Sequence, residues 1–394
     1  MIIGIVGSGA MGAGIAQVIA TAGHSVRLLD QNAQALQRAS QSIKANLHKL
    51  AEKSKLTGAA AEAAFANLHL TQDVQQFADC ELVIEAIVEE LAVKQQLFQQ
   101  LERVVSAECV LASNTSSLSV TAIAAASALP ERFIGIHFFN PAPVMELVEV
   151  VAAVQTRAGL AVEIRELIQS WGKLPVLAQD TPGFIVNRVA RPFYGEAIRI
   201  LEEGLADIAT IDWALTELGG FRMGPFALMD FIGHDVNYRV TESIFTAFFY
   251  DPRYKPSFTQ KRLFEAGYYG RKAGRGFYSY APAAPLPEPT RDETLGNTIL
   301  HRILAMLINE ATEALALSVA SRDDLELAMT KGVNYPKGLL AWADEIGVAH
   351  VLATLDNLYA EYHEDRYRAS PLLRRMVRQK QTFFSPSILP NLTL

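Results

Sequence analysis

A chain of 394 residues is too long for one compact core, so two or three domains are expected. Half of the residues are hydrophobic and a fifth are charged, as in an ordinary globular protein, and the net charge of −7 speaks against a nucleic-acid partner. The two cysteines, Cys80 and Cys109, form neither a disulfide framework nor a zinc spacing, so we expect no metal and a reducing, cytoplasmic setting. No apolar run is long enough for a bilayer, so no membrane partner is expected. The chain opens inside a strand, so no leader is expected.

Residues 1–6 are a continuous β-branched apolar run, the pattern of a buried parallel strand. It enters Gly7-Ser8-Gly9-Ala10-Met11-Gly12, a G-x-G-x-x-G turn, and a helix follows to Ala22. A second strand, Ser25 to Leu29, ends at Asp30. Strand, glycine turn, helix, strand and acid come in the order a dinucleotide site needs. Gly7 allows the tight turn, Gly9 admits the pyrophosphate, and Gly12 lets helix and strand pack closely, with the helix N-terminus facing the phosphates. Asp30 can accept from the ribose hydroxyls and would repel a 2′-phosphate, which favours NAD, with Arg27 the one nearby cation.

Residues 33–55 read as a helix with Arg38, Lys44, Lys49, Lys53 and Lys55 on its polar face. Such charges are usually a solvated face, although lysines here could also meet a phosphate-rich ligand. Strands over 79–86 and 109–112 flank a helix over 90–104, and they end at Glu85 and at the cluster Asn114 to Ser117. Ligands of doubly wound sheets sit at such strand ends, but these residues could equally form turns, and Ser117 or Ser119 could cap the helix over 120–126. Two apolar strands then flank a Pro-containing loop, Asn140-Pro141-Ala142-Pro143. His137 lies in the first strand and Glu149, twelve residues later, in the second. On adjacent strands these two would face each other. A carboxylate beside an imidazole orients it and raises its basicity, as a general base near neutral pH requires. The alternative is a satisfied core histidine.

A helix from 158 to 171 and a strand from 175 to 178 complete the first domain, 1–180. Downstream the pattern is helical: 184–203 (carrying Asn187), 208–218, 225–232 and 236–249, then a loop of glycines and aromatics around Arg271 and Lys272. Residues 281–294 are a Pro-rich linker between a first helical domain, 181–280, and a second, degenerate copy, 295–394. Glu196 corresponds to Glu310, Gly224 to Gly338 and Asp230 to Asp344, all at one offset (310 − 196 = 338 − 224 = 344 − 230 = 114). The expected architecture is therefore an α/β Rossmann-type NAD-binding domain followed by two all-α domains related by duplication.

Several motifs together resemble the L-3-hydroxyacyl-CoA dehydrogenase family over essentially the whole length. They are Gly-Ser-Gly-Ala-Met-Gly-Ala-Gly-Ile-Ala at 7–16, Glu-Ala-Ile-Val-Glu at 85–89, Asn-Thr-Ser-Ser at 114–117 and His-Phe-Phe-Asn-Pro at 137–141. Asp-Thr-Pro-Gly-Phe-Ile-Val-Asn-Arg at 180–188 and Met-Gly-Pro at 223–225 complete the set. The duplicated helical part is most similar to the 3-hydroxyadipyl-CoA dehydrogenase branch of phenylacetate catabolism, with a short linker where longer relatives carry an inserted segment.

The resemblance implies NAD-dependent, reversible oxidation of a (3S)-3-hydroxyacyl-CoA, either 3-hydroxyadipyl-CoA or a short-chain substrate such as 3-hydroxybutyryl-CoA. It implies His137 as general base, Glu149 as its orienting acid, and Ser116 and Asn187 as contacts to the reacting oxygen or thioester carbonyl. It implies cofactor contacts at Gly7, Gly9, Ala10, Met11, Gly12, Asp30, Glu85, Lys94, Asn114, Asn140 and Lys272. Lys53 and Asn46 would meet the CoA phosphates. Arg188, Arg191, Arg222 and Arg239 are candidates for a distal carboxylate, with none favoured. Single-copy relatives dimerise through the helical unit, so the second copy could replace the partner; a monomer with an internal pseudo-dimer and a homodimer are both open. A non-catalytic NAD-binding structural protein need not keep His137, Glu149, Ser116 and Asn187 together. A β-hydroxyacid dehydrogenase would use a lysine base.

Overall fold

The computed structural model describes residues 1–282 and 284–384. Ala283, expected in the linker, and residues 385–394, expected at the end of the second copy, lie outside the described residues. The chain divides into two compact units, Met1–Phe184 and Ile185–Leu394. The division falls four residues past the expected boundary at 180, because Phe184 is buried and its ring lies 5.9 Å from that of His137.

The first unit is built on one sheet of β1 Ile2–Val6, β2 Ser25–Leu29, β3 Leu68–Thr71, β4 Leu82–Glu85, β5 Val110–Ser113, β6 Phe133–Phe138, β7 Leu147–Ala152 and β8 Leu174–Gln179. The strand order is β3-β2-β1-β4-β5-β6-β7-β8. The first six strands are parallel, in the order of dinucleotide-binding folds. β7 runs antiparallel to β6, and β8 runs parallel to β7. Val6, Glu85 and Ser113 are in register, so β1, β4 and β5 end at one edge of the sheet.

Helices α1 Ala10–Thr21, α2 Ala33–Glu52, α3 Gly58–Ala66, α4 Leu91–Leu101, α5 Val120–Ala124 and α6 Leu160–Ser170 complete this unit. In α2, Leu36, Ala39, Ile43 and Leu47 form a buried stripe at helical spacing. Each buried leucine or isoleucine of that stripe contributes about 1.5–3 kcal/mol. Asn32 starts the helix by accepting from the backbone N–H groups of Gln34 and Ala35.

The second unit is helical. Its first copy holds α7 Val186–Val189, α8 Arg191–Glu202, α9 Ile208–Trp213, α10 Pro225–Ile232, α11 His234–Ala247 and α12 Phe258–Glu265. Its second copy holds α13 Glu293–Ala316, α14 Arg322–Gly332, α15 Leu339–Ile346, α16 Val348–Tyr362 and α17 Pro371–Gln379. The helix expected over 184–203 is broken at Ala190, because Pro192 stands in the first turn of α8 and has no N–H to continue the ladder.

The offset of 114 reappears in the helices: α9 begins at 208 and α14 at 322, α10 spans 225–232 and α15 spans 339–346, and α11 begins at 234 and α16 at 348. Both copies share one compact unit, with α13 packed along α8. Two buried ion pairs cross between them. Arg188 Nε stands 2.6 Å from Glu310 Oε1, and Arg302 Nε stands 2.6 Å from Glu196 Oε1. The pairs are reciprocal (302 − 188 = 310 − 196 = 114), which is the signature of a two-fold interface. Among the described residues no helix is long and apolar enough to cross a membrane.

Candidate active site

The glycine turn sits at the carboxyl end of β1. Gly7 has φ +98°, and a Cβ there would press on the Ala86 carbonyl. A Cβ on Gly12 would stand 1.8 Å from the Gly7 oxygen, so the turn and α1 touch through backbone. A Cβ on Gly9 would meet nothing within 4 Å, so the turn borders open space there. Ala10 and Met11 open α1 directly behind it.

Asp30 follows β2, and its carboxylate is anchored. Ser8 donates to Oδ2 from both its N–H (2.8 Å) and its hydroxyl (2.7 Å), and Asn32 N–H donates to Oδ1 (2.9 Å). Burial opposes ionisation, but these hydrogen bonds outweigh it and hold the Asp30 carboxyl below its usual range. Arg27 is paired with Asp79 and the Gln76 carbonyl, so its guanidinium is occupied on that side of β2.

The ends of β4 and β5 form a connected network. Glu85 is fully buried and accepts from Lys94, from the Ser113 hydroxyl and from Ile87 N–H. Lys94 is 1% exposed and also pairs with Glu89 at 3.1 Å. Glu89 accepts from the Thr115 hydroxyl (2.6 Å), from the N–H groups of Ser116 and Ser117, and from the Ser117 hydroxyl. Burial raises the Glu89 pKa, while Lys94 and these donors lower it further, so the group lies below its ordinary value. Ser119 caps α5, donating to Asp180 and accepting from Ala122 N–H. Asn114 Oδ1 accepts from Phe138 N–H at 2.8 Å, which ties the end of β5 to the end of β6.

The reversal between β6 and β7 sets His137 directly opposite Glu149 in the register. His137 Nδ1 lies 2.7 Å from Glu149 Oε2, and the two residues are 6% and 0% exposed. With Nδ1–H donated to the carboxylate, Nε2 keeps its lone pair for a substrate proton. Phe139 and Phe184 pack on the ring at 4.5 and 5.9 Å between centroids. Asn140 begins the following loop, and its peptide bond to Pro141 is cis. A Cβ on Gly14 would touch Ala142 and Pro143, so this loop lies on α1.

The first unit thus gathers the glycine turn, Asp30, Glu85, Asn114, Ser116 and the His137–Glu149 pair at the strand ends. Asn46 is exposed on α2 and Lys53 is exposed at the C-cap of that helix, and Asn46 Nδ2 reaches Gln17 at 3.3 Å. In the helical unit, Asn187 lies on α7, and its carbonyl accepts from Arg191 Nε at 2.9 Å. Lys272 is exposed and pairs with Asp235 at 2.6 Å. The sequence reading missed Ser8 and Glu89. Ser8 was visible as the variable residue of the glycine turn, and Glu89 as the second acid of the 85–89 motif.

A dinucleotide-binding sheet whose strand ends carry a histidine–carboxylate pair is the arrangement of an NAD-dependent oxidoreductase. Residues 2–181 match the NAD-binding domain of 3-hydroxyacyl-CoA dehydrogenase, and 183–280 and 299–382 match its C-terminal domain. The chain is 40% identical to 3-hydroxyadipyl-CoA dehydrogenase of Escherichia coli, over 95% of this chain and 96% of that one. It is 45% identical to a probable 3-hydroxybutyryl-CoA dehydrogenase of Deinococcus radiodurans, over 70% of this chain and 99% of that one. A crystal structure of 3-hydroxybutyryl-CoA dehydrogenase from Escherichia coli superposes with a TM-score of 0.92 at 38% identity, over 96% of this chain and 98% of that one. The chain belongs to the 3-hydroxyacyl-CoA dehydrogenase family, and its cofactor is NAD.

Proposed function

We propose that this enzyme reversibly oxidises the 3-hydroxyl of a (3S)-3-hydroxyacyl-CoA, with 3-hydroxyadipyl-CoA as the preferred substrate and short-chain thioesters such as 3-hydroxybutyryl-CoA as poorer ones. The observation that carries the reading is the His137–Glu149 pair at 2.7 Å, opposed on antiparallel strands at the cofactor edge of the sheet. His137 Nε2 takes the hydroxyl proton as C3 becomes a carbonyl, and returns it in the reverse direction. Glu149 holds the ring and stabilises the imidazolium that forms. Bound NAD supplies the acceptor for the hydride that leaves C3. Ser116 and Asn187 donate to the reacting oxygen or the thioester carbonyl, where charge develops.

Asp30 binds the adenosine ribose. Gly7, Gly9, Ala10, Met11 and Gly12 cradle the pyrophosphate, while Asn114, Asn140 and Lys272 complete the cofactor contacts. Glu85 and Lys94, expected as cofactor contacts, are both buried, and they act on the cofactor site through the pairing of Lys94 with Glu89. Asn46 and Lys53 meet the phosphates of CoA. The preference for the adipyl thioester rests on the relative that matches over both helical copies. The second copy occupies the place of a partner subunit, so the enzyme is a monomer. Its two buried, unpaired cysteines suit a cytoplasmic location.

The test is NADH formation by the wild type from (3S)-3-hydroxyadipyl-CoA and (3S)-3-hydroxybutyryl-CoA. Turnover of both is expected, with the higher kcat/KM for the adipyl thioester. Absence of turnover with either rejects the reading.

A further inference from the structure

Four arginines near the start of the helical unit are candidates for reading a distal acid, and the structure separates them. Arg188 is buried and committed to Glu310. Arg222 and Arg239 are exposed; Arg222 reaches Asn334, and Arg239 lies over the Phe264 ring. Arg191 is different. It is 8% exposed, and among the described residues its hydrogen bonds are to the Asn187 carbonyl (2.9 Å) and the Thr241 hydroxyl (3.2 Å). Its guanidinium lies over the Tyr194 ring at 4.9 Å. Among the described residues no carboxylate pairs with it. Burial without a counter-charge holds its pKa below the ordinary arginine value, with Tyr194 and Tyr335 only partly opposing this. The Tyr335 hydroxyl, within electrostatic reach of Arg191, is buried and has no hydrogen-bond partner.

Arg191 also lines a cavity of about 170 Å³ together with Tyr194, Thr241, Lys255 and Arg366. Glu202 is the one acid in its wall, and it accepts from the Thr259 hydroxyl at 2.6 Å. Arg366 and Arg199, which also lines the cavity, both pair with Glu364, so among the described residues Arg191 and the exposed Lys255 are the wall's cations without an ion pair. Buried charges are ordinarily paired. Here a buried guanidinium without a carboxylate partner lines a cavity whose wall carries four basic residues, Arg191, Arg199, Lys255 and Arg366, against one acid, Glu202.

We infer that Arg191 and this cavity form the subsite for the terminal carboxylate of a dicarboxylic acyl-CoA, making Arg191 the residue that selects such a thioester over its methyl-ended counterpart. The inference rests on the reading of Asn187 as a substrate contact. Arg191 follows Asn187 by one helical turn and is bonded to its carbonyl, while C6 of an adipyl chain lies three bonds beyond the reacting C3. A planar guanidinium takes a carboxylate through two parallel N–H bonds, a geometry that lysine cannot copy.

The experiment compares kcat/KM for 3-hydroxyadipyl-CoA and 3-hydroxyhexanoyl-CoA, two chains of equal length, in the wild type, Arg191→Lys and Arg191→Leu. The adipyl-to-hexanoyl ratio is expected to fall about a hundredfold in Arg191→Leu, as for loss of a buried charge partner, and by less in Arg191→Lys. An unchanged ratio overturns the inference; it would also be the result if Arg191 met a CoA phosphate common to both thioesters. Wild-type turnover of both thioesters beside that unchanged ratio leaves the dehydrogenase reading standing. Should Arg191→Leu not fold, calorimetry on the wild type decides: tighter binding of adipyl-CoA than of hexanoyl-CoA supports the subsite, and equal affinity overturns it.

Discussion

Asp30 is the side chain on which the proposed cofactor choice rests. Ser8 and Asn32 fix its carboxylate at the end of β2 and favour the ionised form, so it stands ready to accept from ribose hydroxyls. A hydrogen bond to a charged group contributes about 1.5–3 kcal/mol. Asp30→Ala is therefore expected to raise the KM for NAD by ~10- to 100-fold while the KM for the acyl-CoA changes little. Steady-state kinetics with each substrate varied in turn checks this, and an equal rise in both contradicts the assignment. Asp30 and the glycines were legible in the sequence because their spacing encodes a local geometry. The roles of Ser8 and Glu89 were not legible, since each depends on a partner that only the folded chain brings near: Ser8 reaches a residue 22 positions away, and Glu89 reaches residues 26 to 28 positions away.

At the scale of elements, the loop carrying Ser116 is held by a single carboxylate. Glu89 bridges Lys94 on α4 to three consecutive residues after β5, so its charge fixes the loop from outside the strand. Its folded pKa is lowered from 4.5, so its contribution to stability is present above that value and is lost as pH falls through the lower folded one. The stability gap between wild type and Glu89→Gln, from denaturant titrations, should therefore narrow as pH falls below about 4.5. A gap independent of pH contradicts this role.

The strands and helices that bury a regular face were readable from apolar spacing. The elements that were missed lack such a face. The helix α3 is largely alanine, without a marked apolar stripe, and β3 is a four-residue strand at the sheet edge with its middle residues exposed. The break between α7 and α8 was written in Pro192, but the apolar spacing on both sides reads through it.

In the whole molecule, the repeat at an offset of 114 becomes a two-fold relation inside one chain. Arg188 meets Glu310 and Arg302 meets Glu196; the Tyr254 hydroxyl donates to Glu310, and that of Tyr367 donates to Glu196. Such reciprocity normally belongs to two subunits. On the proposal that the second copy supplies the partner's surface, light scattering should give the mass of a single chain, and a dimer mass would contradict the internal replacement.

The account as a whole depends on proton removal by His137. The most direct measurement follows NADH formation by His137→Gln, with cofactor binding measured alongside by fluorescence. Turnover should fall by at least about a thousandfold, within the range for loss of a positioned general base, while NADH affinity stays close to that of the wild type. A variant that binds NADH normally and still oxidises the thioester at the wild-type rate would show that the proton leaves by another route.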